Sequence, residues 1–173
     1  MMAAALAKPG TQQPASATSR LVGLEHYVGP PQGFWTAYLD SVCEALNGES
    51  VWLMTQQGRR PWQVTLSAGI PRVPVAGLAD RLLNLAAEAT ASTLAIHPGD
   101  ADDALLGYPL PVGPDARAAH SVVLGWLPAS PAAQASLLEH LVSLLATIPQ
   151  RYQDAQFRQQ DGVGEDSLRR LYD

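Results

Sequence analysis

The chain has 173 residues, 47% of them hydrophobic, and a formal net charge of −5, which suits one sizeable core and is short for two. Its cationic side chains are dispersed and Lys8 is the single lysine, which argues against the concentrated basic face of a nucleic-acid binder and against a polybasic membrane patch. Cys43 is the only cysteine, so no internal disulfide and no multi-cysteine zinc site can form, and no window reaches the roughly 20 apolar residues of a membrane span.

Residues 1–20 mix Ala, Ser, Thr, Gln and Pro with little to bury, and are expected to be a flexible leader. The opening MMAAALAKPG has neither a basic start nor a long apolar stretch before its first proline, so no signal peptide is expected and a cytoplasmic location is read. Residues 21–31 carry a few apolar side chains ahead of the GPPQG stop, which predicts an extended lead-in resting on the domain rather than belonging to it. FWTAYLDSVCEALNG then predicts a helix. Phe34, Tyr38, Val42 and Leu46 fall at four-residue steps beside Trp35, Leu39 and Cys43, and Asn47-Gly48 supplies the stop. Cys43 reads as a buried small hydrophobe, because no neighbouring cation lowers its pKa.

Val51–Thr55 and Trp62–Leu66 read as a hairpin closed by a polar turn, with Arg59 and Arg60 keeping the tip soluble. Trp62, Val64 and Leu66 alternate with Gln63, Thr65 and Ser67, which predicts one buried and one wetter face. Pro71 and Pro74 make GIPRVPV an extended crossing segment. From Ala76 the pattern becomes helical, with Leu78, Leu82, Leu85 and Ala89 on one face and Asp80, Arg81, Asn84 and Glu88 away from it.

ASTLAIHPG predicts a strand stopped by Pro98, with His97 at its end as a candidate cavity-lining residue. GDADDA is an acidic surface loop without the spacing of a calcium site. ALLGYPLPVG is a further strand whose prolines mark an edge or a bulge. In AHSVVLGWLP both alternating faces are apolar, as a central strand covered on two sides requires. Ser130 and Pro131 then open a long helix carrying Leu137, Leu141, Leu144 and Ile148, widened by Leu138, Val142 and Leu145. Pro149 is expected to kink or end it. Residues 151–173 read as a helical linker with a glycine hinge, reaching toward a following module of a longer protein.

No phosphate loop, dinucleotide fingerprint, nucleophile elbow or HExxH occurs, and His26, His97, His120 and His140 share no ligand spacing on one helix. The expectation is therefore a protein that is not an enzyme, with no catalytic residues, metal ligands or cofactor. The apolar sets of the first and last helices exceed what one sheet face needs, which predicts a homodimer through them, with Leu138 and Val142 outward and Leu137, Leu141 and Leu144 toward the sheet.

The order of helix, hairpin, crossing segment with helix, strand, proline-rich strand, central strand and long helix resembles a GAF domain over residues 32–150. The residues that carry the resemblance are ESVWLMTQQ with PWQVTLSAGI, GIPRVPVAGLADRLLNLAAEAT, ALLGYPLPV and AHSVVLGWLP. It implies an α+β fold: a central antiparallel sheet of about five strands with the N- and C-terminal helices on one face. It also implies a sensory domain that encloses a small molecule on the other face, with Trp62, Leu94, Ile96 and Trp126 as wall candidates. No NKFDE-type string is present, which weakens a cyclic-nucleotide ligand, and the lone cysteine supports neither a bilin thioether nor sulfoxide-reductase chemistry. The trailing EDSLRRLYD is similar to the linker helices of cytoplasmic GAF regions ahead of HlyD-like secretion and efflux adaptors. A degenerate GAF domain used only for protein contacts, or a roadblock- or profilin-like interaction module, fits the same element order.

Overall fold

The computed structural model describes residues 17–70, 77–99, 102–115, 117–128 and 135–172, the last helix by its backbone alone beyond residue 159. The elements run α1 (Ala17–Gly23), a 3-10 turn (Leu24–His26), α2 (Pro31–Ala45), β1 (Ser50–Gln56), β2 (Gln63–Gly69), α3 (Leu78–Ala89), β3 (Ala95–Pro98), β4 (Ala104–Leu110), β5 (His120–Leu127) and α4 (Ala135–Tyr172). The five strands form one antiparallel sheet in the order β2-β1-β5-β4-β3. α2 and α4 pack on one face and α3 on the other, an α+β arrangement with the expected helix placement. No described helix is long and apolar enough to cross a membrane.

β5 lies at the centre of the sheet. Its two faces divide between the layers: Val123 and Leu127 meet the α2/α4 core, and Val122, Leu124 and Trp126 meet the α3 core. Both faces are apolar because both are covered. α3 settles closely on the sheet over Gly107, where a Cβ would stand 2.8 Å from Leu124 and 3.1 Å from Leu85. α2 ends as its sequence dictates, with Asn47 at φ 50° and the Gly48 N–H bonded to the Cys43 carbonyl at 2.8 Å.

Several expectations are corrected. Residues 21–31 are not extended: α1 and the 3-10 turn put Leu21 and Leu24 into the α2/α4 core, so the segment is part of the domain. Of the 1–20 leader, residues 1–16 lie outside the described residues, as do most of GIPRVPV and the cap at Ser130 and Pro131. In β2, Leu53 faces Leu66 and Met54 faces Val64, so Thr65 is a bulge that reverses the side-chain alternation. Val64 is thereby thrown off the face of Leu66 and is 51% exposed. Pro109 does not mark a whole edge strand, since β4 is interior, but β3 pairs only as far as Gly107 and leaves β4 one neighbour at the proline.

α4 departs most from expectation. It runs as one helix through Pro149 and through the glycines at 162 and 164. The proline ring removes the N–H that would bond the Leu145 carbonyl, and the Tyr38 hydroxyl donates to that carbonyl instead at 3.0 Å. Its faces are also turned from those expected: Leu138 and Val142 are buried against the sheet with Leu145 and Ile148, and Leu137 is 67% and Leu144 41% exposed, while Leu141 packs half-buried against the same core as expected. Nor does the helix leave the domain at 150. Tyr152 is buried and stacks on Phe34 with ring centroids 3.8 Å apart, and Arg151 pairs with Glu25 at 2.6 Å.

Candidate functional site

The pleat of the sheet separates the five residues singled out in the sequence. Leu94 and Ile96 pack against the α2/α4 core. Trp126 lies in the α3 layer with the Arg81 guanidinium 5.7 Å above its ring. Trp62 borders that layer, 6.4 Å from the His120 ring. The His97 Nε2 sits 2.5 Å from the Glu88 carboxylate on α3. Strand alternation sends these side chains to opposite faces, so they share no common wall.

The α3 layer itself is built from buried apolar side chains. Trp52, Met54, Leu82, Leu85, Ala86, Leu124 and Trp126 make one buried cluster. Its polar exception is Ser50, 1% exposed, whose Oγ finds no hydrogen-bond partner among the described residues. Ser50 stands opposite Trp126 in the β1–β5 ladder.

Open space lies elsewhere, where β4 leaves the sheet and β5 enters it. A cleft of about 500 Å³ reaches from Thr90 at the end of α3, across the 111–119 connection, to Trp35 on α2 and Tyr152 and Phe157 on α4. That volume falls within the range of small-molecule sites. The prolines of PLPVGPD keep the connection out of regular structure and give the cleft a stiff apolar rim. Hydrogen bonds fix the connection, among them the Ala119 N–H to the Gln56 carbonyl at 2.7 Å. Gln153 on α4 donates to the Gly113 carbonyl at 3.0 Å. Asp115 accepts from the Gln57 side chain at 2.5 Å and from the Arg117 backbone N–H at 2.8 Å.

A second cleft, of about 480 Å³, lies across Pro109 and Pro111, between α4 and Leu94. Each cleft has one carboxylate in its described lining, Asp115 in the first and Glu139 in the second, and neither lining includes a lysine or arginine.

Beside its carboxylate, the first lining includes His120 and Ser121 and the second His140 and Ser143. Cys43 lies outside both clefts; burial and then the charge of Asp40 push its thiol above the ordinary range, and its Sγ bonds the Gly48 carbonyl at 3.2 Å. Among the described residues no group of three His, Cys, Asp or Glu side chains is placed to hold a metal ion. One sign of this region was legible beforehand, the Pro/Gly run marking a loop. Tyr152, Gln153 and Phe157, about 40 residues further on, carried no sign of joining it.

No family model and no protein of curated function matches the chain. Solved structures do. The GAF domain of a protein described as a sensor histidine kinase from Pseudomonas syringae pv. tomato superposes with a TM-score of 0.55 at 17% identity, covering 87% of this chain and 94% of that one. The GAF domain of an Acinetobacter phosphoenolpyruvate-protein phosphotransferase gives 0.52 at 13% identity, covering 85% and 96%. A looser likeness, 0.47 at 15% identity over 87% and 98%, is to free methionine-R-sulfoxide reductase from Neisseria meningitidis in complex with its substrate. The chain has a GAF-like fold.

Proposed function

We propose that the chain is a non-catalytic sensory or regulatory domain that binds a small molecule and acts as a homodimer through its terminal helices. The observation that carries this is the shared wall: the larger cleft is bounded by Tyr152 and Phe157 of α4, the same helix that continues to Tyr172. A ligand seated there touches the element that leads out of the domain, so binding energy can bias the helix. The GAF-like fold supports a sensory role, since the histidine kinase and the phosphotransferase both carry such a domain. Leu137 and Leu144, exposed on α4 along one flank of the buried stripe, supply apolar surface for a second copy. The adaptor context rests on EDSLRRLYD, whose side chains lie outside the described residues.

A second reading, an interaction module without ligand, draws support from the buried apolar cluster that α3 forms with the sheet. Thermal-shift screening of the folded chain against a small-molecule set separates the two. A ligand at 100 times its dissociation constant adds about 2.7 kcal/mol of stability. A hit whose shift is lost in Phe157→Ala supports the sensor, and a set with no hits favours the module.

A further inference from the structure

We propose that the larger cleft takes a small organic cation: an amine or quaternary ammonium group on a compact apolar body. The proposal rests on reading this cleft as a ligand site and narrows what the ligand is.

Electrostatics argue first. Asp115 is half-buried in the lining, and among the described residues no cationic side chain pairs with it. Its two neighbours are neutral donors, the Gln57 amide and the Arg117 backbone N–H, which fix the carboxylate without cancelling its charge. A carboxylate held rigid beside apolar walls is only partly hydrated, so an incoming cation gains more there than at an open surface. The described lining holds no lysine or arginine to oppose that cation, and His120 is its one basic side chain. The net charge of −5 draws it from solution, and an anion meets the reverse of each effect.

The walls argue second. Phe157 stands at the mouth, 64% exposed, in a helix otherwise polar at that level. An exposed ring bordering a carboxylate site offers its face to a cation. Pro31, Pro111 and Trp35 provide apolar surface for the body of the ligand.

The test uses three benzyl probes: benzyltrimethylammonium, its uncharged isostere neopentylbenzene, and the smaller anion phenylacetate. Each is titrated into the ¹⁵N-labelled chain while amide shifts are followed. The expected result is that the cation moves the amides around Gly113, Asp115, Gln153 and Phe157 and binds roughly tenfold more tightly than the other two. Asp115→Asn and Phe157→Ala should each erase most of that preference. Phe157 is exposed, so its truncation leaves the fold intact even where Asp115→Asn loosens the connection. Equal binding of cation and isostere in the cleft, unaffected by Asp115→Asn, overturns the cationic class while the cleft remains a ligand site. Absence of cleft shifts with all three probes overturns both.

Discussion

Tyr38 and Tyr108 meet hydroxyl to hydroxyl at 3.1 Å in the buried core, and the direction of that bond is determined. Tyr38 uses its one proton on the Leu145 carbonyl, so Tyr108 must donate to Tyr38. The chain of donors ends on the carbonyl that Pro149 leaves unpaired within α4. A side chain from α2 thus completes the backbone of the last helix.

Tyr38→Phe should therefore cost about 1–3 kcal/mol, because it strands both the Leu145 carbonyl and the Tyr108 hydroxyl. In a Pro149→Ala background, which restores the N–H to Leu145, the same change should cost less. Urea denaturation of the four proteins measures the coupling. Equal losses in both backgrounds would show that the hydroxyl does not serve the helix.

Burial raises the pKa of both tyrosines well above the ordinary value of 10. A folded-state pKa above the unfolded one favours folding fully below pH 10, and that contribution is lost as pH rises beyond it. Stability should thus decline from about pH 10 upward, and less steeply in Tyr38→Phe. Denaturation midpoints across that range provide the check.

On α4, Leu137→Glu and Leu144→Glu should keep the fold and separate the proposed dimer. Leu138→Glu and Val142→Glu should unfold the chain by placing a charge in the core. Sedimentation with circular dichroism distinguishes the outcomes. A wild-type monomer at micromolar concentration removes the interface.

Leu21→Ala should destabilise by about 2–5 kcal/mol, as a core leucine does, although it lies in what the sequence presents as a lead-in. Trp126→Ala, beneath Arg81 in the α3 layer, should cost about 3–5 kcal/mol. Melting curves decide both, and a loss below about 1 kcal/mol in either would remove that side chain from the core.

Elements whose signal is local were legible. β5 announced itself by two apolar faces, and α2 by its stripe and its Asn-Gly stop. Features set by a distant partner were not. The bulge at Thr65 is fixed by pairing with β1, so plain alternation assigned Val64 to the wrong face. The apolar residues of α4 cover more than half its circumference, and periodicity cannot say which half meets the sheet. Pro149 looked like a break because Tyr38 lies 111 residues away from it. The cleft joins a loop to a helix about 40 residues later, and no motif spans that gap.

The β1–β5 ladder at the centre of the sheet bears on how the chain is made. Leu53 pairs with Val123, and every rung of that ladder joins residues 70 apart or close to it. At ribosomal rates of about 5–20 residues per second, the wait from β1 to β5 is roughly 4–14 s. The β1–β2 hairpin can close early, but its inner edge stays unpaired, with Val51, Leu53 and Met54 uncovered, until β5 emerges. Nascent chains are therefore most exposed to misassociation before residue 127 clears the exit tunnel, and truncations short of β5 should be insoluble rather than partly folded.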